Sequence, residues 1–127
     1  MYRTNLEKDV YEFLKKHFPN HRVRKKPKVE GFSGFVWTPD FVMEKDGHVV
    51  AIIECKQIHS KEQSTFYTQM RLAFAELSDL HRKYGESIPL VILPTRDDRA
   101  EKYQCLFDSL NKGAIVPKEA ITDFIEE

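Results

Sequence analysis

Cysteines and long apolar runs are scarce in this sequence of 127 residues. Its two cysteines, Cys55 and Cys105, match neither a disulfide framework nor a zinc site in their spacing, which predicts free thiols in a reducing compartment. No apolar run approaches the roughly 20 residues of a membrane-spanning helix, so we expect no membrane association. The first residues are polar and predict no secretory signal peptide. We therefore expect a cytoplasmic, intracellular protein.

An excess of charge of one sign is also missing, because 20 basic residues balance 20 acidic ones. This balance argues against a generic polycation that coats nucleic acid. The cations are nevertheless unevenly spread, and one early cluster predicts a local patch that binds DNA phosphates. The cluster comprises Arg22, Arg24, Lys25, Lys26 and Lys28. A solvated, charged strand is the alternative interpretation of these residues.

Apolar residues make up 41% of the chain, which is enough for one compact core. No repeat, linker or low-complexity tract divides the sequence, so we predict a single domain over residues 1–127. Apolar spacing predicts a first helix over about 6–18 with Asn5 as its cap, and a long helix over about 61–84. The apolar stripe of the long helix comprises Phe66, Met70, Ala73, Leu77, Leu80 and Tyr84.

Strands are predicted between these helices and after them. The expected strands cover about 21–30, 35–43, 48–56, 88–93 and 114–116, and a further helix runs from Asp97 or Asp98 to about 110. The run 49–53 is apolar on both faces, which predicts a central strand. Phe35, Trp37 and Phe41 are predicted to be core residues. The order of elements predicts an α/β (α+β) fold, with a central mixed sheet flanked by helices.

The end of the predicted central strand carries ionisable residues. Glu54, Cys55 and Lys56 follow its apolar run directly. Ionised groups beside a core are costly unless they are paired or bind a metal ion. Because side chains alternate along a strand, Glu54 and Lys56 share one face and Cys55 points the other way.

Whether Asp40 joins Glu54 depends on the register of the intervening hairpin. A two-residue turn would pair Lys45 with His48 and turn Asp40 away from Glu54. A three-residue loop over 45–47 would place both carboxylates on one face, and a bulge elsewhere would have the same effect. Two carboxylates on one face of neighbouring strands provide the oxygen ligands that Mg²⁺ prefers.

The residues Thr-Pro-Asp-Phe at 38–41, followed by Glu-Cys-Lys at 54–56, resemble the motif of the PD-(D/E)xK nuclease superfamily. This resemblance implies a restriction-endonuclease-like fold and a Mg²⁺-dependent DNA endonuclease, with Mn²⁺ as a substitute metal. It implies Asp40, Glu54 and the backbone carbonyl of Cys55 as metal ligands. Lys56 is then the residue that orients the attacking water or stabilises the phosphorane.

The same resemblance suggests further site residues. Many members add an acid from the first helix, and Glu7 is the best match, with Glu12 as its competitor and Asp9 less favoured. RecB-type nucleases carry a glutamine on the helix after the motif, a place that Gln69 fits. Gln57, directly after Lys56, is another candidate to line the site.

Several alternatives remain open at this point. A homodimer is common in such folds, and the DNA substrate and the choice between endonuclease and exonuclease are open. A module with the same fold that binds nucleic acid or assembles with partners, without activity, is the second hypothesis. A protein-interaction domain whose strand-end charges only pair with each other is the third.

Overall fold

The computed structural model describes residues 5–57 and 63–127. The helices are α1 (Asn5–His17), α2 (Gln63–Lys83) and α3 (Glu101–Asp108). The strands are β1 (Arg22–Lys25), β2 (Val29–Glu30), β3 (Val36–Trp37), β4 (Phe41–Lys45), β5 (His48–Cys55), β6 (Ile88–Leu93) and β7 (Ala114–Pro117). Two 3-10 segments are Asp98–Ala100 and Lys118–Asp123.

Five strands form one mixed sheet in the order β1-β4-β5-β6-β7, while β2 and β3 form a separate two-stranded ribbon. Antiparallel pairing joins β1, β4 and β5, and parallel pairing continues the sheet through β6 and β7. The predicted α+β class with a mixed sheet flanked by helices is confirmed. The expected central strand is also confirmed, since β5 is the middle strand and its residues 51–54 are buried.

Both faces of β5 are covered, because its side chains alternate between two apolar clusters. Ile52 packs in the cluster that includes the apolar stripe of α2. Ile53 packs in the cluster that includes α1. Burying a residue of this size contributes about 1.5–3 kcal/mol, so each helix is held to the sheet mainly by its apolar face.

The helical patterns predicted from the sequence are largely confirmed. The stripe of α2 is buried at Phe66, Met70, Ala73, Leu77 and Leu80. The predicted start of α2 near Lys61 lies outside the described residues. Asp97 caps the 3-10 turn that leads into α3, and its carboxylate accepts a hydrogen bond from the Arg99 backbone N–H at 2.9 Å. Within 5–57 and 63–127, no helix combines the length and the apolar character needed to cross a membrane.

The hairpin between β4 and β5 has a two-residue turn, so the three-residue alternative is wrong. Lys45 pairs with His48, and Asp46 and Gly47 both have positive φ angles, 53° and 79°. Two positive φ angles define the type I′ turn, whose twist matches that of the flanking strands. Glycine is suited to the second position because it has no Cβ atom.

A β-bulge in β5 restores the register that the two-residue turn alone would lose. Glu44 pairs with Val49, whereas Met43 pairs with Ala51, which leaves Val50 as the extra residue. One extra residue reverses the facing of everything beyond it. The bulge thereby turns the residues beyond it to the faces that the site requires.

The two strands predicted at 21–30 and 35–43 are each divided. Lys26 has a left-handed φ of 46° and ends β1, and Asp40 lies in the bend between β3 and β4. The interpretation of Phe35 as a core residue is wrong, since 60% of its surface is exposed. Phe35 lies directly before β3, which pairs with β2 in the separate ribbon and, within the described residues, does not join the five-stranded sheet. Phe41, on β4, is buried as predicted, and Trp37 is half-buried.

Candidate metal and active site

Asp40 and Glu54 face each other at one end of the β4–β5 pair. Phe41 pairs with Ile53, so Asp40 lies opposite Glu54. The backbone N–H of Asp40 donates to Glu54 Oε1 at 3.0 Å, and the backbone N–H of Cys55 donates to Asp40 Oδ2 at 2.7 Å. Each carboxylate thus binds the main chain of the other strand. The structure therefore brings together the two acids that the motif predicted.

Helix α1 supplies a third acid to the same place. Glu7 is buried, with 3% of its surface exposed, although it lies on a helix whose other acids face outward. The Lys26 ammonium donates to Glu7 Oε1 and to Asp40 Oδ1, both at 2.8 Å. Glu12 and Asp9 are exposed. Of the three acids considered on this helix, Glu7 is the one beside Asp40.

Lys26 occupies a different environment from the rest of the predicted cationic cluster. It is half-buried between two carboxylates, and its left-handed backbone places it there. Burial lowers the pKa of Lys26, but hydrogen bonds to Asp40 and Glu7 outweigh this effect and raise that pKa overall. The sequence indicated a phosphate-binding role, whereas the ammonium here neutralises buried acid.

The other four cations of the cluster lie on or near the surface. Arg22 and Arg24 on β1 pair with Glu44 at 3.8 and 3.7 Å. The Lys25 ammonium lies 4.6 Å from the centre of the Tyr11 ring. Exposed pairs of this kind are weak, about 0–1 kcal/mol each, so a phosphate can compete for these arginines. Lys28 is exposed. DNA binding by these residues stays a prediction.

Lys56 lies beside Glu54 at the end of β5. Its Nζ is 3.9 Å from Glu54 Oε2, and its backbone N–H donates to the Ile92 carbonyl at 2.9 Å. The Cys55 side chain packs on the opposite side, in the cluster that includes α1, as alternation predicted. Burial raises the pKa of the Cys55 thiol, which therefore stays protonated. The backbone carbonyl of Cys55 remains a predicted ligand.

A cleft of about 320 Å³ adjoins Lys56. It is lined by Lys56, Gln57, Phe66, Leu93, Pro94, Thr95 and Asp97. Gln57 Oε1 is buried and has no hydrogen-bond partner within the described part of the chain. The cleft therefore offers space for a substrate group next to Lys56, with one unsatisfied acceptor among its lining residues.

Helix α2 contributes an acid that the sequence reasoning missed. The Glu76 carboxyl is hydrogen-bonded to that of Glu54. Gln69 was the predicted residue on this helix. Among the residues that the structure describes, it forms no hydrogen bond with Asp40, Glu54 or Lys56. A signal was present, since Glu76 lies one turn from the buried stripe residue Ala73 and carries a charge at the border of that stripe.

The acids of the site outnumber the bases around them, and burial shifts their protonation. Burial raises the pKa of Glu54 to about 9, and the negative charges of Asp40 and Glu76 add to this effect. Burial and the hydrogen bond with Glu7 raise the pKa of Asp40 despite Lys26. Burial also raises the pKa of Glu76. Without another cation, the cluster therefore holds protons at neutral pH.

Replacing Glu54 by glutamine is expected to flatten the pH dependence of stability. An unfolded glutamate has a pKa of about 4.3, and that of folded Glu54 is about 9. Between these values the folded protein binds more protons than the unfolded chain, so the metal-free protein loses stability as pH rises. Glutamine removes this contribution. Urea unfolding at several pH values from 5 to 8, in a chelator, measures the slope.

The matched control for this experiment is Glu12→Gln, which changes an exposed glutamate of α1. Its stability should follow the wild-type pH curve. Parallel curves for Glu54→Gln and wild type would contradict the assignment of the raised pKa to Glu54.

The donor set of the site fits a hard divalent cation in its chemistry. Glu7, Asp40 and Glu54 supply carboxylate oxygens, the ligands of Mg²⁺ and Mn²⁺. The Lys26 ammonium between Glu7 and Asp40 shows that a positive charge is stabilised there. In the described ranges, no three His, Cys, Asp or Glu side chains are already grouped as metal ligands. A divalent ion placed between Glu7 and Asp40 would compete with the Lys26 ammonium for the same carboxylate oxygens.

Comparisons with known proteins relate the chain to a fold. Neither a protein-family model nor a curated protein matches it. A solved structure, that of the protein of unknown function AF1548, is similar over 96% of this chain, with a TM-score of 0.60 and 20% sequence identity. This chain spans 61% of that chain's length. Similarity at this level of identity shows that the two share a fold.

Proposed function

We propose that this protein is a divalent-metal-dependent DNA endonuclease with a restriction-endonuclease-like fold. The observation that supports this proposal is the convergence of Asp40, Glu54 and Lys56 at one end of the β4–β5 pair, with Glu7 beside them. The residues of such a motif can act together in catalysis only when their side chains lie close to one another. Here the bulge in β5 brings them to one site.

Each residue of the site has a separate role in the proposed phosphodiester hydrolysis. Asp40, Glu54 and Glu7 would hold a Mg²⁺ ion through their carboxylates, together with the Cys55 carbonyl. When bound there, the ion would supply positive charge to the phosphate and lower the pKa of a water molecule. The Lys56 ammonium orients the attacking water and stabilises the charge that develops on the phosphate oxygens. Hydrogen bonds from main-chain N–H groups already fix the direction of Asp40 and Glu54.

Asp40→Asn is expected to abolish both Mn²⁺ binding and DNA cleavage. Asparagine keeps the size of the side chain but lacks the negative charge that a divalent ion requires. Calorimetric titration with Mn²⁺ and cleavage of plasmid, branched and single-stranded DNA measure the two effects. Asp9→Asn, an exposed acid on α1, is the control and should retain both. A wild-type protein that binds Mn²⁺ but cuts none of these DNAs would refute the enzymatic proposal.

The position of Lys26 favours a second candidate function. Its ammonium already neutralises Glu7 and Asp40, as a cation would in an active centre. In an inactive module that binds nucleic acid or assembles with partners, this ion pair is a permanent structural element. DNA binding that persists without any Mn²⁺ binding to the wild-type protein would support this candidate over the nuclease.

The proposed function includes a cytoplasmic location and assembly into a homodimer. Cys55 and Cys105 are free thiols, which agrees with a reducing, cytoplasmic environment. A homodimer would present two centres to the two strands of a duplex. Sedimentation equilibrium, with and without duplex DNA, distinguishes one copy from two.

A further inference from the structure

The ribbon formed by β2, β3 and the turn between them exposes a group of large apolar side chains. Phe32 and Phe35 are each 60% exposed, and Val36 is 53% exposed. The Phe35 ring packs on that of Trp37, with their centres 4.5 Å apart. Exposed apolar residues that cluster in this way indicate a binding surface, whereas scattered ones do not.

This ribbon begins and ends at the candidate site. Lys26 lies three residues before β2 and Asp40 three residues after β3, and the Lys26 backbone N–H donates to the Asp40 carbonyl at 2.9 Å. The side chains of both residues contact each other in the site. The exposed aromatic rings are therefore carried by a segment whose base is the site itself.

Asp79 of α2 fixes the ribbon in place. Its carboxylate accepts hydrogen bonds from the Ser33 N–H at 2.9 Å, the Ser33 hydroxyl at 2.7 Å and Trp37 Nε1–H at 2.8 Å. Its carbonyl accepts from the Phe32 N–H at 3.2 Å. Gly31 packs so closely that a Cβ atom there would overlap Asp79 Oδ2. A ribbon of two strands with two residues each is unstable alone, so these contacts hold the Trp37 ring and the backbone that carries Phe32 and Phe35 in place before any ligand arrives.

The charges around the ribbon suit an anionic partner. Arg82 and Lys83 are exposed on α2, three and four residues after Asp79, and Glu30 of β2 is the one exposed acid of the ribbon. The two acids of α2 are both engaged, Glu76 with Glu54 and Asp79 with the ribbon. The Arg82 guanidinium lies 4.5 Å from the centre of the Phe32 ring. Aromatic faces beside cations are the usual means of binding single-stranded nucleic acid.

We propose that Phe32 and Phe35 form an aromatic wedge that stacks on an unpaired base of the DNA strand bound at the Asp40–Glu54 centre. The inference rests on the proposed nuclease function and names its substrate class. Within continuous duplex, base faces are covered by their neighbours, so a protein ring must first separate a stacked base step, at a cost of a few kcal/mol, whereas an unpaired base offers its face without that cost. The preferred substrate is therefore single-stranded, branched or otherwise unpaired DNA.

Binding measured without divalent metal tests the wedge independently of cleavage. Trp37 is the sole tryptophan of the chain, and its contact with Phe35 makes its fluorescence a direct report of stacking. The probes are a single-stranded oligo-dT, a three-way junction and a blunt duplex, in a chelator. Phe35→Ala is expected to weaken binding of the first two probes about tenfold, the usual effect of losing one base–aromatic stack, while duplex binding stays unchanged.

Controls separate stacking from general effects. Phe35→Tyr keeps an aromatic face and should bind like the wild type. Leu106→Ala removes an exposed apolar side chain from α3 and should leave all three affinities unchanged. If Phe35→Ala folds poorly by circular dichroism, Phe32→Ala provides the same test, because its side chain is equally exposed.

Three results would overturn the wedge. The first is that Phe35→Ala binds all three probes as tightly as the wild type, and the second is that its affinity for the duplex falls as much as its affinity for the other two. The third is that the wild type is a dimer and Phe35→Ala is a monomer, which would assign this surface to a second copy. A protein that cuts DNA yet shows any of these results keeps the nuclease function and loses the wedge. A protein that never cuts DNA, yet needs Phe35 to bind single strands, keeps the wedge and loses the nuclease function.

Discussion

Replacing Lys56 by alanine is expected to reduce DNA cleavage by about 10²- to 10³-fold while leaving Mn²⁺ binding intact. A preorganised donor that stabilises transition-state charge contributes an effect of this size. Lys56 is suited to this role because its Nζ lies 3.9 Å from Glu54 Oε2, a distance that leaves its protons free to bind water or phosphate. Single-turnover cleavage kinetics and Mn²⁺ calorimetry measure the two quantities.

The separation of these two readouts distinguishes a catalytic lysine from a structural one. A structural role would lower Mn²⁺ affinity and stability together with cleavage. Lys45→Ala is the matched control, because Lys45 is exposed at the end of β4, away from the carboxylates. Cleavage by Lys56→Ala at the wild-type rate would remove this residue from the proposed mechanism.

Replacing Lys26 by methionine is expected to destabilise the metal-free protein by about 3 kcal/mol at pH 7. Loss of one partner from a buried ion pair leaves charge without compensation, which is costly. Glu7 and Asp40 are both buried, and each has an oxygen 2.8 Å from Lys26 Nζ. Methionine preserves much of the apolar stem, so the change isolates the charge. Urea unfolding measures the loss.

The pH dependence of this loss has a defined sign. Lys26 lowers the pKa of Asp40, so without Lys26 that pKa rises further above its ordinary value. A carboxyl with a raised folded pKa contributes stability at low pH and loses it as pH rises. The deficit of Lys26→Met should therefore shrink from pH 7 to pH 5. Lys28→Met, at an exposed neighbour, should change stability by no more than about 0.5 kcal/mol at either pH.

Mn²⁺ adds a test of competition between the ammonium and the metal. If both occupy the place between Glu7 and Asp40, Lys26→Met should bind Mn²⁺ more tightly than the wild type, and saturating Mn²⁺ should restore most of the lost stability. Equal Mn²⁺ affinity in the two proteins would place the metal elsewhere. A wild type without Mn²⁺ affinity, combined with the same loss of stability, would favour the permanent ion pair of an inactive module.

Sequence periodicity was enough to predict the layers of this fold. Local apolar spacing identifies the buried stripe of α2, the amphipathic face of α1 and the strand β5, which is buried on both faces. This spacing can be read without knowledge of the tertiary structure. Glu54 was found by its place at the end of the predicted central strand, and Asp40 by the resemblance of residues 38–41 to the first half of the nuclease motif. Their meeting was conditional, because turn length and bulge position depend on how the strands fit the whole sheet.

Other features of the site were beyond local reasoning. Lys26 was assigned to a surface patch because it lies in a run of cations, but a left-handed residue and a return of the chain at Asp40 carry it inward. Glu76 reaches Glu54 across a sequence separation that periodicity does not measure. Phe35 was expected in the core because apolar alternation does not tell a strand of the sheet from a detached ribbon.

The amino-acid pattern by itself determined the two long amphipathic helices, which strand is central and which acid ends that strand, because these properties depend on neighbours along the chain. Tertiary structure alone decided the bulge at Val50, the pairing of Lys26 with Glu7 and Asp40, and the exposure of Phe35. The physical reason is that each of these is settled by contacts between distant residues. Alternative contacts of this kind differ little in free energy, and which of them forms depends on many residues of the sequence together.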